Sequence, residues 1–419
     1  MKICGIISEY NPFHTGHAHQ IAQTRTRLGE DTAIVCVMSG NFVQRGEPAV
    51  FAKHARAEAA VRGGADLVLE LPLPWALSSA EGFARGGVGM LGALGCVTHI
   101  SFGSECGELE RLHAAAEVLL DPRMDELIRA ELQSGAPYAA ARQRAAERLA
   151  GAQLRELSEP NNLLGVEYLK AIAQQDLDIT PITVLRTGAA HDAAGDGESH
   201  PSAAQLRDAL RRGESIRSGI PPEVYAVLAR ELEQGRGPVG PEALETAILS
   251  RLRFLPQEAF AALPGASEGI ENLLYRAAQT EPTLDAVCAA AKSRRYALSR
   301  LRRMTMCAAL GVTAADSAGR PPYLRVLAAN CRGTEVLRAA SATASVPILT
   351  RPADAKTLDA RVQRTFALEA ASTDLFTLGF TAEDERRGGS DWRTSPVILK
   401  PEDLSPAPRH GFFSKCRKK

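Results

Sequence analysis

The chain reads as an α/β protein: a doubly wound parallel-sheet domain carrying a helical insertion, followed by a mixed, mainly helical C-terminal region. Three observations predict it. Short apolar, β-branched runs alternate with helix-forming stretches through residues 1 to 110, the pattern of parallel strands joined by right-handed crossovers. Residues 107 to 180 are helix formers almost throughout. A length of 419 residues allows two or three domains of about 150 residues each.

The elements follow in order. Lys2 to Ile7 is a short apolar run, followed by a loop and a helical stretch from His17 to Leu28. Thr32 to Met38 (TAIVCVM) is continuous and β-branched, as a strand buried on both faces must be. Phe51 to Arg62 is a helix, Ala65 to Leu71 (ADLVLEL) another strand, Ser79 to Leu94 an Ala/Gly-rich helix, and Thr98 to Gly103 (THISFG) the strand that completes the series. The insertion, GELERLHAAAEVLL, DELIRAELQSG and AAARQRAAERL, is expected to pack as a lid or substrate wall. A strand at Ile182 to Leu185 leads into a polar loop, Thr187 to Pro201, and a helix from Ser202 to Arg212. Pro222 to Glu233 is charge-periodic, and the breaker-rich GRGPVGP, Gly235 to Pro241, marks a linker or hinge. The expected division is therefore 1–220, with the insertion at about 107–180, and 221–419. No repeat of 20 to 50 residues is present.

Composition narrows the class. Hydrophobic residues make up 45% and charged residues 23%, which excludes a disordered or collagen-like chain. Lys+Arg and Asp+Glu are 49 each, so a nucleic acid or membrane would have to be met by a local patch. No apolar run reaches the roughly 18 residues that span a bilayer, and the opening apolar stretch is too short for a signal peptide. No membrane partner and a cytoplasmic location are expected. The eight cysteines contain no C-x-x-C pair, so neither a disulfide framework nor a metal site is read, and Cys4 and Cys36 are expected to be buried thiols.

Chemistry concentrates in Asn11-Pro-Phe-His-Thr-Gly-His17, between the first strand and the first helix. In a doubly wound sheet that is where a phosphate meets a helix N-terminus. Gly16 lets the backbone approach a polyphosphate, and His14 and His17 flank it as donors without the fixed charge of lysine. A second constellation, Ser202-Ala-Ala-Gln-Leu-Arg207, places a hydroxyl at a helix start and a guanidinium one turn in, suited to a leaving pyrophosphate. A third, Ser39 to Gly46, follows the second strand; Gln44 and Arg45 could hold a small carboxylate or a phosphate, with Lys53 and Arg56 one helix away. Gly103, in SFGSE, leaves room for adenine or ribose at a strand end.

These residues resemble a known family. H-x-G-H after strand one is the signature of the nucleotidyltransferase superfamily, whose folds are of the HUP, Rossmann-like type. The strings GIISEYNPFHTGH, VMSGNFVQRGEPAVFAKHARAEAAVRGGADLVLELP and ISFGSE are similar to the bacterial tRNA(Met) cytidine acetate ligases. The resemblance is dense over residues 1–106, patchy over 155–210, and recognisable again around 293–338. It implies that acetate is activated with ATP as acetyl-adenylate and passed to N4 of the wobble cytidine of elongator tRNA(Met), giving N4-acetylcytidine. Mg2+ would accompany ATP, held by the phosphates because no carboxylate cluster stands out. Implied catalytic residues are His14, His17 and Arg207. Candidate ATP contacts run along the first strand, loop and helix, at Ile7, Glu9, Asn11, Phe13, His14, Gly16, His17 and Gln20. They continue at Gly103, at Asn161 or Asn162, at Arg186 and at Ser202. The superfamily's second motif usually reads I-S-S-T-x-x-R; Ala203 and Ala204 replace its hydroxyls here, which leaves Arg207 but removes individual hydroxyl contacts.

From Ala286 to Ala315 there are six basic residues and no acid: Lys292, Arg294, Arg295, Arg300, Arg302 and Arg303. Arg295, Arg302 and Arg303 are expected near one helical face, Tyr296 could add a stacking surface, and the tail adds Arg409, Lys415, Arg417, Lys418 and Lys419. Such segregation suggests a contact surface for tRNA phosphates, the alternative being a solvated helix face. No obligate protein partner is implied. Two other readings are an adenylyltransferase acting on a small phosphorylated acceptor, which needs about half this length, and a non-catalytic RNA-binding protein, against which the intact H-x-G-H argues.

Overall fold

The computed structural model describes residues 1–186 and 201–404. The expected loop from Thr187 to His200 and the basic tail from Arg409 lie outside the described residues. The central sheet has eight strands: β1 (Ile3–Ser8), β2 (Ala33–Ser39), β3 (Leu67–Leu71), β4 (His99–Ser104), β5 (Thr180–Leu185), β6 (Leu324–Ala329), β7 (Ile348–Leu349) and β8 (Val397–Ile398). Their order is β8-β6-β3-β2-β1-β4-β5, with β7 also pairing with β6. Every pairing is parallel except that of β3 with β6. β2 and β3 are buried at every position, which is why their sequences run apolar without alternation. The chain fills one side of β1 first and then crosses to β4, so the sheet's switch point lies between β1 and β4.

The crossovers are α1 (Thr15–Leu28), α2 (Lys53–Arg62) and α3 (Ala80–Leu94), each within a few residues of its predicted span. The insertion is helical, as expected: Leu109–Leu120, Met124–Gln133, α4 (Tyr138–Ala150) and α5 (Pro160–Gln174). Next come α6 (Ala203–Arg211) and the helix Pro222–Glu233. In the C-terminal region lie α7 (Leu298–Leu310) and α8 (Ala360–Thr377), while the helix Cys331–Thr343 packs on the sheet through Val336 and Ala340. A second apolar core, with Leu244, Ile248, Phe260, Leu274, Leu301 and Met304, unites the C-terminal helices and reaches Phe42, Leu73 and Leu77 of the first domain.

Two expectations about organisation are corrected. A boundary near residue 220 does not separate sheet from helices. Val224, Val227 and Leu228 of the following helix share a core with α2, and Arg230 pairs with Glu58 at 2.8 Å. Moreover β6, β7 and β8 complete a sheet that residues 1–106 begin, because β3 still has an open edge to satisfy. The Gly235–Pro241 stretch is no free hinge either. The Val239 amide donates to Val50 O at 2.9 Å, and Gly237 lies so close to Phe51 that a Cβ would come within 2.7 Å of the ring.

A buried ionic cluster clamps α8 and the last strands onto the sheet. Lys53 Nζ lies 2.6 Å from Glu70 and 2.8 Å from Asp391. Arg325 bridges the same two carboxylates at 2.9 and 2.8 Å. Glu369 also enters the cluster, and one of its oxygens accepts the Leu73 amide. Burial and the neighbouring Glu70 push its pKa well up, which leaves two cations facing two carboxylates and one neutral acid. Lys53→Met should therefore lose about 3–5 kcal/mol in urea denaturation, since it strands buried carboxylates. Glu369→Gln, which copies the protonated acid, should stay within about 1 kcal/mol of the parent.

Candidate functional site

A cavity of about 480 Å³ opens at the C-terminal edge of the sheet, over the switch point. Strand ends supply Ile7, Ser8, Phe102, Gly103 and Arg186, while the first turns of α1, α3, α5 and α6 complete the wall. Four helix N-termini thus converge on one space, each bringing the positive end of its dipole. Anions are favoured there.

The H-x-G-H loop builds the floor of this site by an unusual cap. His14 is the N-cap residue of α1: its Nδ1 accepts the Gly16 amide at 3.0 Å. His17 reaches back, its Nδ1 accepting the His14 amide at 3.2 Å. The two rings stack with centroids 3.8 Å apart. Because both Nδ1 atoms accept, the hydrogen-bond pattern assigns the proton of each neutral ring to Nε2, making that atom a donor. Burial, then His14, then Arg186 lower the pKa of His17 well below the usual imidazole value. It remains neutral at physiological pH. Tyr10, held at φ +44°, sets its ring edge-on against His17 with centroids 4.8 Å apart.

Charge is distributed to match. Three guanidiniums, Arg45, Arg186 and Arg207, line the cavity together with a single carboxyl, Glu9. Burial raises the pKa of Glu9, against the pull of the Gln44 amide and the arginines; its Oε1 accepts that amide at 2.9 Å. Arg207 donates to Asn11 O at 2.9 Å, tying α6 to the H-x-G-H loop. Ser202 forms a capping box with Gln205, at 3.2 and 2.7 Å, in which its hydroxyl oxygen accepts and keeps its own O–H to donate, and the start of α6 faces the cavity. Gly103 is needed for close packing, since a Cβ there would lie 3.0 Å from Arg186 Cγ.

The Asn pair, left open by the sequence, divides. Asn161 lines the cavity. Asn162 is buried, and its Oδ1 accepts the amides of Glu105 and Cys106 at 2.9 and 3.1 Å. Glu105 in turn caps the start of α5, accepting the Asn161 and Asn162 amides. Ile7, Glu9, Asn11 and Gln20 line the cavity.

Three candidates are corrected. Phe13 is wholly buried and supports His17 from below, with centroids 5.5 Å apart. Lys53 belongs to the ionic clamp. Arg56 is fully buried and binds the carbonyls of Glu9, Ser39, Gly40 and Phe51. It shapes the loop that carries Gln44 and Arg45, which do line the cavity at the tip of a hairpin, Phe42–Val43 with Glu47–Pro48. The sequence reading also missed the apolar wall of Phe83, Phe102, Leu164 and Tyr168. These residues come from three separate elements and form no local pattern.

Of the six basic residues, Lys292, Arg294 and Arg295 are exposed and precede α7, so Arg295 does not share a helical face with Arg302 and Arg303. Tyr296 is buried beneath Arg300 and cannot stack on a base. Arg300 is turned inward to Gly265 O and Ser267. Arg302 pairs with Glu47 and Asp285.

A model of the HIGH nucleotidyl transferase family matches residues 1–391. The tRNA(Met) cytidine acetate ligase of Syntrophomonas wolfei is 35% identical, covering 95% of this chain and 99% of its own. That of Acetivibrio thermocellus is 34% identical, covering 95% and 100%. A crystal structure of Thermotoga maritima TmcAL bound with alpha-thio ATP superposes with a TM-score of 0.88, at 32% identity over 96% of this chain and 100% of that one.

The division of the Asn pair is open to measurement. Asn162→Ala should lower unfolding stability by about 1–3 kcal/mol, because two buried amides lose their acceptor. Asn161→Ala, which removes one half-exposed bond from Nδ2 to Glu105 and leaves no buried amide stranded, should cost less, about 1 kcal/mol. Chemical denaturation of both variants checks this.

Proposed function

Since the chain belongs to the HIGH nucleotidyl transferase family, among relatives that are tRNA(Met) cytidine acetate ligases, we propose that its cavity activates acetate with ATP and that the acetyl group passes to a tRNA cytidine. The chain is an ATP-dependent ligase for tRNA. Its full-length match to the ligase relatives supports this over an adenylyltransferase of half the length.

The observation that carries the reading is the reciprocal histidine cap. Two neutral imidazoles with protons on Nε2 stand at a helix N-terminus, within a cavity holding three guanidiniums and one acid whose pKa is raised. That balance suits a triphosphate. An acetate oxygen attacks the α-phosphorus, the bond to the β-phosphate bridging oxygen breaks, and pyrophosphate leaves. The Nε2–H donors of His14 and His17 meet the α-phosphoryl oxygens as charge gathers on them, while Arg207 and the start of α6 receive the pyrophosphate. Arg45, which makes no hydrogen bond or salt bridge among the described residues, is the guanidinium offered to acetate. Gly103, Asn161 and Arg186 would hold the nucleoside, with Phe102 and Tyr168 against the base. The cytidine N4 then attacks the acetyl carbonyl carbon, loses a proton, and expels AMP.

Among the described residues no group of three His, Cys, Asp or Glu side chains could hold a metal ion, so Mg2+ suits this site only as a companion of the phosphates. The acceptor in this reading is N4 of the wobble cytidine of elongator tRNA(Met), in the cytoplasm, met by the C-terminal basic segment. No protein partner is required.

His14→Ala and His17→Ala should each reduce acetate-dependent release of AMP and pyrophosphate by about a hundredfold to a thousandfold. Folding should persist with a cap loss of about 1 kcal/mol. Wild-type turnover in either variant would remove the assignment.

A further inference from the structure

A second cavity, about 520 Å³, adjoins the nucleotide cavity, and Gln44, Arg45, Ala80 and Leu163 line both. The hairpin tip is therefore a wall with a face toward each space. One side of this groove is α4 of the insertion, with Tyr138 and Arg142. The other is α7, with Leu298, Arg302 and Arg303. The groove thus runs from the basic helix to the edge of the activating site.

Its lining is selective. Tyr138 is 50% exposed and Leu298 36%, two of the few large apolar side chains left in solvent, and they flank the same space. Arg303 carries no salt bridge among the described residues, although burial lowers its pKa. The back of the groove is rigid. Gly46, at φ +75°, packs on the α7 backbone so closely that a Cβ would lie 2.6 Å from the Arg302 carbonyl carbon. Position of α7 and position of Gln44 and Arg45 are one and the same constraint.

An exocyclic amine can reach an acyl-adenylate only if its base leaves the stack of the RNA loop. Such a base needs an aromatic or apolar face to rest on and cations for the flanking phosphates. We propose that this groove is the port for the acceptor cytidine, with Tyr138 as the platform against which the unstacked base lies and Arg303 meeting the backbone beside it. The inference rests on the ligase reading above. It assigns the helical insertion to RNA binding, so that the nucleic acid is gripped between insertion and C-terminal region rather than by the C-terminal region alone.

The test uses the full chain with Tyr138→Ala, Tyr138→Phe and Ala139→Trp, the last filling the exposed groove wall. Acetylation of tRNA, as kcat/KM, should fall at least about tenfold in Tyr138→Ala and Ala139→Trp and recover in Tyr138→Phe, in keeping with the value of one base stack. Acetate-dependent exchange of pyrophosphate into ATP, which needs no RNA, should stay within about twofold. An anticodon stem-loop carrying 5-iodocytidine at the acceptor position should photocrosslink to a peptide containing Tyr138. Wild-type acetylation by both impaired variants, equal loss of exchange, or a crosslink confined to other segments would overturn the port. Absence of acetate-dependent exchange in the parent protein would instead overturn the ligase reading.

Discussion

The hydrogen bonds exchanged by His14 and His17 are the constraint on which the site is built. Each ring spends its Nδ1 on a backbone amide of the α1 start. A helix terminus must satisfy its free amides, and a serine or aspartate would do so with an oxygen that accepts and then presents negative charge. An imidazole satisfies the same amide and still carries a donor on its other nitrogen. The cap therefore converts a structural obligation into two fixed donors at a place where the sheet and four helices already favour an anion. Burial keeps His17 uncharged, so its donor orientation does not depend on protonation near neutral pH.

Holding that loop in place takes most of the chain. Arg207 reaches from α6 to Asn11 O. Asn11 Oδ1 accepts the Val50 amide at 2.8 Å, and Val50 O accepts the Val239 amide from the stretch leading to the C-terminal helices. Arg56 gathers the carbonyls around Glu9 and Gly40, and Lys53, beside it in α2, is locked by carboxylates from β3 and the C-terminal region. Lys53 and Arg56, which look suited to phosphate in the sequence, thus anchor the loops that line the cavity. Catalytic wall and C-terminal region are mechanically a single object.

Legibility in the sequence followed locality. The first seven alternating elements and the H-x-G-H loop were readable because periodicity and a contiguous motif report on neighbours in the chain. β6 to β8 were not, since joining β3 is decided by an open edge more than 250 residues away along the chain. Lys53, Arg56 and Phe13 were misassigned for a related reason. Type and position near a motif do not reveal burial. Asn161 and Asn162 are identical neighbours, and one residue's rotation around α5 leaves Asn161 at the cavity wall, its Nδ2 donating to the Glu105 carboxylate, while Asn162 is buried and accepts the backbone amides of Glu105 and Cys106.

By itself, then, the sequence determined the α/β class, the order of the early strands and helices, and the two motifs that line the cavity, because each is written in adjacent residues. Tertiary structure alone decided which cations stay accessible, which strands close the sheet, and that insertion and basic helix face each other across a groove beside the cavity at the switch point. Those outcomes depend on distances between segments that meet only once the chain has packed, and no local pattern encodes them.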